Sequence, residues 1–176
     1  ADWSGTASLD LSALDGTNGF RLDGESPGDM SGLWASGIGD FNADGYTDLV
    51  IGAPYGDGGV GDEFKENSGE TYVVFGKADW SGTASIDLST LNGTNGFHLG
   101  GAVFEASPSA AVWSATGVGD FNADGYDDLL IGVPGATTTD LGDAGRDGGS
   151  SYLVYGKADW SATASVDLLA LDGTNG

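Results

Sequence analysis

The chain has 176 residues, of which 27 are acidic and 5 are Lys or Arg, and its formal net charge at pH 7 is −22. A surface this acidic lacks the basic face that nucleic acids and anionic membranes require, so we expect neither as a partner. No cysteine is present, which excludes disulfides and thiolate metal sites. No segment approaches the roughly 18 to 20 apolar residues of a membrane span. The 33 glycines indicate short strands joined by tight turns.

An internal repeat organises the sequence. The segment ADWSGTASLDLSALDGTNGF at residues 1–20 returns as ADWSGTASIDLSTLNGTNGF at residues 78–97 and begins again at residue 158. Trp3, Trp80 and Trp160 hold equivalent places in these copies. We predict that each packs between neighbouring units, because a tryptophan repeated in register suits a repeated interface. The alternative is a platform on which a sugar stacks.

Each unit is predicted to contain four short strands, bounded by clusters of Gly, Asp and Asn. Four antiparallel strands per unit are typical of a β-propeller blade. The fold class is therefore predicted as all-β, with propeller-type blades of four antiparallel strands, about two blades and a partial one, open or completed by other repeats or chains. In chain order the strands are expected at residues 19–22, 33–38, 48–53, 71–75, 96–99, 112–118, 128–133 and 151–155, with a short extended piece before the strands at residues 19–22 and 96–99.

A nine-residue acidic loop occurs once in each unit, as DFNADGYTD at residues 40–48 and DFNADGYDD at residues 120–128. Calcium takes about six to eight oxygen ligands, which a short loop supplies when alternate residues point inward and a glycine at position 6 permits the turn. The spacing predicts two structural calcium sites. Their ligands would be Asp40, Asn42, Asp44, the carbonyl of Tyr46 and Asp48, and then Asp120, Asn122, Asp124, the carbonyl of Tyr126 and Asp128.

Other interpretations of the acidic loops are weaker. A solvated Asp-Gly turn would fit either loop alone, but the duplicate spacing favours a metal site. An EF-hand requires a bidentate glutamate at position 12 on a following helix, whereas Ile51 and Ile131 stand there in apolar strand patterns. Magnesium prefers near-octahedral geometry with several waters, so a loop rich in protein oxygens favours calcium.

These residues resemble the FG-GAP repeats of integrin alpha-subunit propellers and their bacterial relatives. The family pattern GDxNxDGxxDLxIGxP stands as GDFNADGYTDLVIGAP at residues 39–54 and as GDFNADGYDDLLIGVP at residues 119–134. The resemblance implies four-stranded blades, calcium between the first two strands, and a closed ring of about seven blades. It divides the chain into a partial blade at residues 1–19, a blade at residues 20–97 and a blade with an incomplete last strand at residues 98–176.

Two blades cannot close a ring, and closure is what disposes of exposed strand edges. The chain begins and ends on the same segment, so its ends are able to complete one another between chains, in a ring or a filament. The alternative is that the chain is an excerpt from a longer array. We therefore expect neighbouring repeats or copies of the same chain as partners.

Three functions remain open from the sequence. The first is a calcium-stabilised module that is secreted or on the cell surface and has a structural or adhesive role, since weak calcium sites suit external calcium concentrations. No leader opens the chain at Ala1, so we expect any export signal to have been removed or to lie outside it. The others are a glycan-binding module and a non-catalytic propeller attached to a secreted hydrolase. An extracellular protein or a glycan would then be the ligand, bound by the least repeated loops at residues 55–68 and 135–150.

Catalysis by this chain is not expected. His98 is the single histidine and stands where the first unit has Arg21. No GxSxG elbow, HExxH helix or phosphate loop is present. The acidic pairs Asp62–Glu63 and Asp127–Asp128 have Gly-rich surroundings, whereas a proton-transfer pair needs one carboxyl in an apolar pocket.

Overall fold

The computed structural model of the chain describes residues 8–57, 67–100, 114–134 and 149–176. These residues form short strands and 3-10 turns, with no α-helix among them. Within these ranges no helix has the length and apolarity needed to cross a membrane. The strands are β1 (Arg21–Asp23), β2 (Trp34–Gly39), β3 (Asp48–Ala53), β4 (Glu70–Val74), β5 (Ser85–Asp87), β6 (Gly96–Gly100), β7 (Ser114–Gly119), β8 (Asp128–Val133), β9 (Ser150–Val154) and β10 (Ser165–Asp167).

Three sheets contain these strands. The largest has the order β10-β6-β4-β3-β2, in which β2, β3, β4 and β6 are antiparallel and β10 joins β6 in parallel. We call β2, β3, β4 and β6 the first unit. The antiparallel sheet β7-β8-β9 is the second unit, and β1 and β5 form a separate parallel pair. The all-β fold built of antiparallel sheets is therefore confirmed, and the first unit has the predicted four strands, whereas three strands of the second unit are present in the described residues.

Most strand positions follow the sequence pattern closely. The strands that leave the acidic loops, β3 and β8, have the predicted bounds, and β2, β4 and β9 are displaced by one residue. Residues 112 and 113 of one predicted strand lie outside the described ranges. The extended piece expected before β6 is β5, but its parallel pairing with β1, like that of β10 with β6, was not predicted. These two parallel pairs therefore link neighbouring repeats through contacts that the local sequence pattern does not predict.

Short 3-10 turns occupy the same place in each repeat, at Leu11–Ala13, Leu88–Thr90 and Leu168–Ala170. The aspartate before each turn accepts the backbone N–H two residues further on, which is the usual way to satisfy the free donors of a first turn. The repeated sequence therefore folds into the same connector each time.

Both faces of the first unit are covered. One face packs against the second unit, where Ile38 and Val50 join a core with Leu129 and Ile131. The opposite face carries Ile51, Tyr72 and Val74, with Leu22 and Trp80 against it. Alternate residues of one strand, such as Val50 and Ile51, thus enter different cores, as the pleat of a strand requires.

The repeated tryptophans stack on phenylalanines from the preceding repeat. Trp160 lies 4.3 Å from the ring centroid of Phe97 at an interplanar angle of 6°, and Trp80 lies 4.3 Å from that of Phe20 at 13°. Trp160 is 5% exposed, so it is not an open platform for a sugar. The predicted packing role is confirmed for Trp80 and Trp160, while Trp3 lies outside the described residues.

Candidate metal centres

The acidic loops join the first two strands of each unit. The first runs from the end of β2 to Asp48, the first residue of β3, and the second runs from the end of β7 to Asp128, the first residue of β8. Pairing between the strands shifts register beside the loop, where Gly39 faces Asp48 and Gly119 faces Asp128. Equivalent sheets therefore hold the ends of both loops in the same way.

Side chains of the first loop fold back onto its own backbone. The two carboxylate oxygens of Asp40 accept the N–H groups of Asp44 and Gly45, both at 2.9 Å. The side-chain oxygen of Asn42 accepts the N–H of Asp44 at 3.1 Å, and Asp44 accepts that of Tyr46 at 2.9 Å. These bonds order the loop around its acidic side chains.

The second loop repeats this network. Asp120 accepts the N–H groups of Asp124 and Gly125 at 2.9 Å, and Asn122 accepts that of Asp124 at 3.1 Å. Asp124 accepts the N–H of Tyr126 at 3.0 Å. Two copies of one geometry 80 residues apart indicate a built structure rather than two unrelated acidic turns.

Backbone conformation fixes the same turn in both loops. Ala43 and Ala123 have φ of 54° and 62°, in the left-handed region that residues with a Cβ rarely adopt. Gly45 and Gly125 follow with φ of 91° and 94°, where glycine carries no such steric cost. A strained alanine repeated at one loop position is held there by its surroundings, which is common at ligand-binding turns.

The last aspartate of each loop is buried. Asp48 and Asp128 are both 0% exposed. Asp48 accepts the N–H groups of Phe41 at 2.9 Å and Gly76 at 2.7 Å, and Asp128 makes the equivalent bonds to Phe121 and Gly156. Burial raises the pKa of Asp48 to about 6, the two N–H donors oppose the rise, and the carboxylates of Asp44 and Asp40 add to it. A cation in this loop would favour the charged form of the carboxylate.

The donor set of each loop fits calcium in chemical type. Three carboxylates, one amide oxygen and one backbone carbonyl are hard oxygen donors of the kind that calcium binds. Across residues 8–57, 67–100, 114–134 and 149–176, however, no three His, Cys, Asp or Glu side chains converge as a metal cluster. The carboxylates are instead directed at backbone N–H groups. Each carboxylate oxygen has a second lone pair, so these bonds leave acceptor capacity for a cation.

The second unit holds the first loop through a residue that was not predicted as functional. Asp127 accepts the backbone N–H of Asp40 at 2.8 Å, and its own N–H donates to the carbonyl of Asp40 at 3.3 Å. The N–H of Lys157 also donates to the carbonyl of Phe41 at 3.1 Å. The sequence does mark this residue, because the two loops differ at position 8, where the first copy has Thr47 and the second has Asp127. Asp127 therefore supports the neighbouring loop.

The other residues singled out in the sequence lie either on β6 or largely outside the described ranges. His98 lies on β6, paired with Tyr72 of β4 and Ser165 of β10. Most of the two least repeated loops, at residues 58–66 and 135–148, lies outside the described residues, and so does the pair Asp62–Glu63.

Comparison with known proteins identifies the repeat. The FG-GAP repeat model matches residues 32–74 and residues 112–154, which contain β2 to β4 and β7 to β9. Phosphatidylinositol-glycan-specific phospholipase D from Bos taurus is 32% identical over 135 residues, which are 77% of this chain and 14% of that protein. Integrin alpha-3 from Cricetulus griseus is 32% identical over 113 residues, 64% of this chain and 9% of that subunit. Integrin alpha pat-2 from Caenorhabditis elegans is 30% identical over 95 residues, 54% of this chain and 6% of that subunit.

The chain thus spans a small part of the length of these relatives. Both family matches fall on the strands that carry the acidic loops. With two loops of one geometry on equivalent strands and relatives among integrin alpha subunits, the chain belongs to the FG-GAP repeat family.

Proposed function

We propose that the chain is a calcium-stabilised FG-GAP module with a structural or adhesive role outside the cell, and that it is not itself an enzyme. The observation that carries the proposal is the duplicated loop, in which five oxygen donors stand at the same sequence positions and equivalent hydrogen bonds recur in both copies. The two ions would bind Asp40, Asn42, Asp44, the Tyr46 carbonyl and Asp48, and Asp120, Asn122, Asp124, the Tyr126 carbonyl and Asp128.

Electrostatics explains why calcium would stabilise the fold. The chain carries a formal charge of −22, and each loop has three of its proposed aspartate ligands within nine residues of sequence. The like charges of a compact state repel one another, which destabilises the fold. A cation that binds only the folded loop reduces this charge and stabilises the folded state by mass action. Extracellular modules bind calcium with dissociation constants of about 10⁻⁴ to 10⁻³ M, which supports a location where calcium is in the millimolar range.

Thermal unfolding tests the proposal. Calcium at about 1 mM, roughly ten times a dissociation constant of about 10⁻⁴ M, adds about 1.4 kcal/mol per site by mass action. We expect the melting temperature to rise in calcium and to fall in excess chelator. The double variant Asp44→Ala and Asp124→Ala is expected to lose this response.

A matched control removes an exposed aspartate elsewhere. Asp79 also accepts a backbone N–H two residues on, that of Ser81 at 2.8 Å, but belongs to neither loop. Asp79→Ala is expected to keep the full calcium response. An unchanged melting curve of the unaltered chain in chelator, or a full calcium response in the double variant, would refute the structural metal.

A second candidate is a non-catalytic propeller attached to a secreted hydrolase. It is favoured by the similarity to a phospholipase D over 77% of this chain. The candidates differ in the neighbouring domains, so the sequence of the full reading frame separates them. A hydrolase domain in the same frame supports the attached propeller, and further FG-GAP repeats or a surface anchor support the structural or adhesive module.

A further inference from the structure

The two acidic loops meet across the contact between the units. Asp127 stands at position 8 of the second loop, between the proposed ligands Tyr126 and Asp128. It contacts Asp40, the first proposed ligand of the first loop. The carboxylate of Asp127 accepts the N–H of Asp40 at 2.8 Å, and the N–H of Asp127 donates to the carbonyl of Asp40 at 3.3 Å. Both backbone polar groups of Asp40 are therefore held by one residue of the other loop.

We propose that the two calcium sites are coupled, so that an ion in the second loop strengthens binding to the first loop, and that Asp127 is the positioning residue that transmits this effect. The inference rests on the proposed function, because it describes regulation between the same two sites. Coupling between binding sites is reciprocal, so an ion in the first loop strengthens binding to the second loop by the same factor.

Two peptide groups form a continuous hydrogen-bonded chain from one site to the other. The carbonyl of Tyr126, a proposed ligand in the second loop, belongs to the same peptide group as the N–H of Asp127. That N–H donates to the carbonyl of Asp40, whose peptide group carries the N–H of Phe41. The N–H of Phe41 donates at 2.9 Å to Asp48, the last proposed ligand of the first loop. Hydrogen bonds in such a chain polarise one another, so each end responds to charge at the other.

A second route joins the last ligand of the second loop to the same part of the first loop. Asp128 accepts the N–H of Gly156 at 2.9 Å. The N–H of the next residue, Lys157, donates to the carbonyl of Phe41 at 3.1 Å. Asp128 and Gly156 are both buried, so this route lies beneath the surface. The carboxylate that closes the second loop thus also fixes the backbone next to Asp40.

Glycines allow the two loops to come this close. A Cβ on Gly39 would collide with the carboxylate of Asp127, and a Cβ on Gly156 would collide with the carbonyls of Asp127 and Phe41. Gly39 also has a φ of 81°, which glycine adopts without steric cost. The loops are therefore in direct backbone contact, and a movement of one is transmitted to the other.

Ordering explains why the coupling is positive. To bind calcium, a loop has to hold its oxygens in one arrangement, which costs conformational entropy. An ion in the second loop fixes the Tyr126 carbonyl and Asp128, and with them Asp127 between them. Asp40 is then already held when the first loop binds its ion, so the first site loses less conformational entropy on binding.

One electrostatic effect acts against this coupling. An ion in one loop reduces the negative field of the chain at the other loop, which weakens the second binding step. Salt screens exposed charges over a Debye length of about 8 Å at about 0.15 M, whereas interactions between buried groups are screened much less. Positive coupling is therefore expected to be clearest at or above this salt concentration.

Calorimetric titration of the metal-free chain with calcium, at that salt concentration, tests the proposal. Asp124→Ala leaves the first site and Asp44→Ala leaves the second, so each variant gives the association constant of one site while the other is empty. The coupling factor is the overall two-ion association constant of the unaltered chain divided by the product of these two single-site constants. We expect a factor of about five or more.

Asp127→Thr tests the positioning residue. The first loop already has Thr47 at this position, so threonine is compatible with the loop. The substitution removes the carboxylate bond to Asp40 and keeps the proposed ligands of both sites. We expect the coupling factor, measured from the same three titrations in this background, to fall toward one, the value of independent sites. The matched control Asp79→Thr removes the same charge from an exposed turn outside both loops and is expected to keep the full factor.

Folding of the single-site variants is checked by circular dichroism without metal. Asp44 and Asp124 are both exposed, so their alanine variants are expected to fold. If either does not, Asp44→Asn or Asp124→Asn replaces it. Asparagine lacks the charge but keeps an oxygen for the N–H two residues further on, which Asp44 and Asp124 accept at 2.9 and 3.0 Å.

The outcomes separate the coupling from the calcium sites themselves. One ion bound by each single-site variant, with a coupling factor of one or less in the unaltered chain, leaves the proposed function standing and overturns the coupling. A factor that Asp127→Thr does not lower overturns the role of Asp127. No calcium binding by the unaltered chain or by any variant refutes the proposed function and the coupling together.

Discussion

Truncation of one buried phenylalanine measures how strongly the two units hold together. Phe41 is 0% exposed and contacts Trp160 of the following repeat, so Phe41→Ala removes a ring from the core between units. Such truncations cost about 3 to 5 kcal/mol. For a chain of about this length, each kcal/mol lowers the melting temperature by about 2 to 4 °C, so a fall of about 6 to 20 °C is expected.

The matched control is the same substitution in the second unit. Phe121 is 70% exposed, and Phe121→Ala is expected to change stability by less than about 0.5 kcal/mol. Urea unfolding at a protein concentration where the chain is monomeric gives both values from the shift in midpoint. Equal losses in the two variants, or a loss below about 1 kcal/mol for Phe41→Ala, would refute the packing of the second unit on the first.

Two further predictions concern backbone contact and pH. Gly117→Ala is expected to lower stability by about 1 to 3 kcal/mol, because its Cβ meets the backbone of Ile38. The control Gly37→Ala is expected to be tolerated, because its Cβ makes only ordinary contacts. Equal urea midpoints for the two variants would contradict this prediction. Burial raises the pKa of Glu70, against the hydrogen bond that the Tyr72 hydroxyl donates to it. The folded state then keeps the proton to a higher pH than the unfolded state, so this group lowers stability as pH rises from about 4.5 toward neutrality. Glu70→Gln is expected to raise the urea midpoint at pH 7 and to leave it nearly unchanged at pH 4; a larger gain at pH 4 would contradict the sign.

Local patterns were enough to predict the strands and loops. The apolar runs after the acidic loops have the bounds of β3 and β8, because a strand that starts at a buried aspartate and ends before a proline has clear limits. The positions of both acidic loops also follow from the sequence, and the hydrogen bonds within the first loop join residues at most seven apart. Metal ligands were predicted at these positions from the sequence, and the hydrogen bonds to the backbone were not. Because the strand and loop patterns occur twice, each copy supports the prediction made from the other.

Contacts between repeats were harder to predict, because they depend on which residues meet after folding. The parallel pairs β1–β5 and β6–β10 join segments 64 to 67 residues apart in sequence. Each pairing covers three residues, which is too short for an alternating apolar pattern to predict it. From the sequence, Asp127 is named only as a member of an acidic pair without a catalytic role, and its hydrogen bond to Asp40 spans 87 residues. Its difference from Thr47 in two otherwise matching loops was the available signal.

Calcium stoichiometry tests the central claim most directly. Equilibrium dialysis of the metal-free chain against calcium, followed by elemental analysis of the protein compartment, counts the bound ions. Two ions per chain are predicted for the unaltered protein and one for each of Asp44→Ala and Asp124→Ala. No saturable binding at millimolar calcium, or two ions retained in either variant, would contradict the assignment of the two loops.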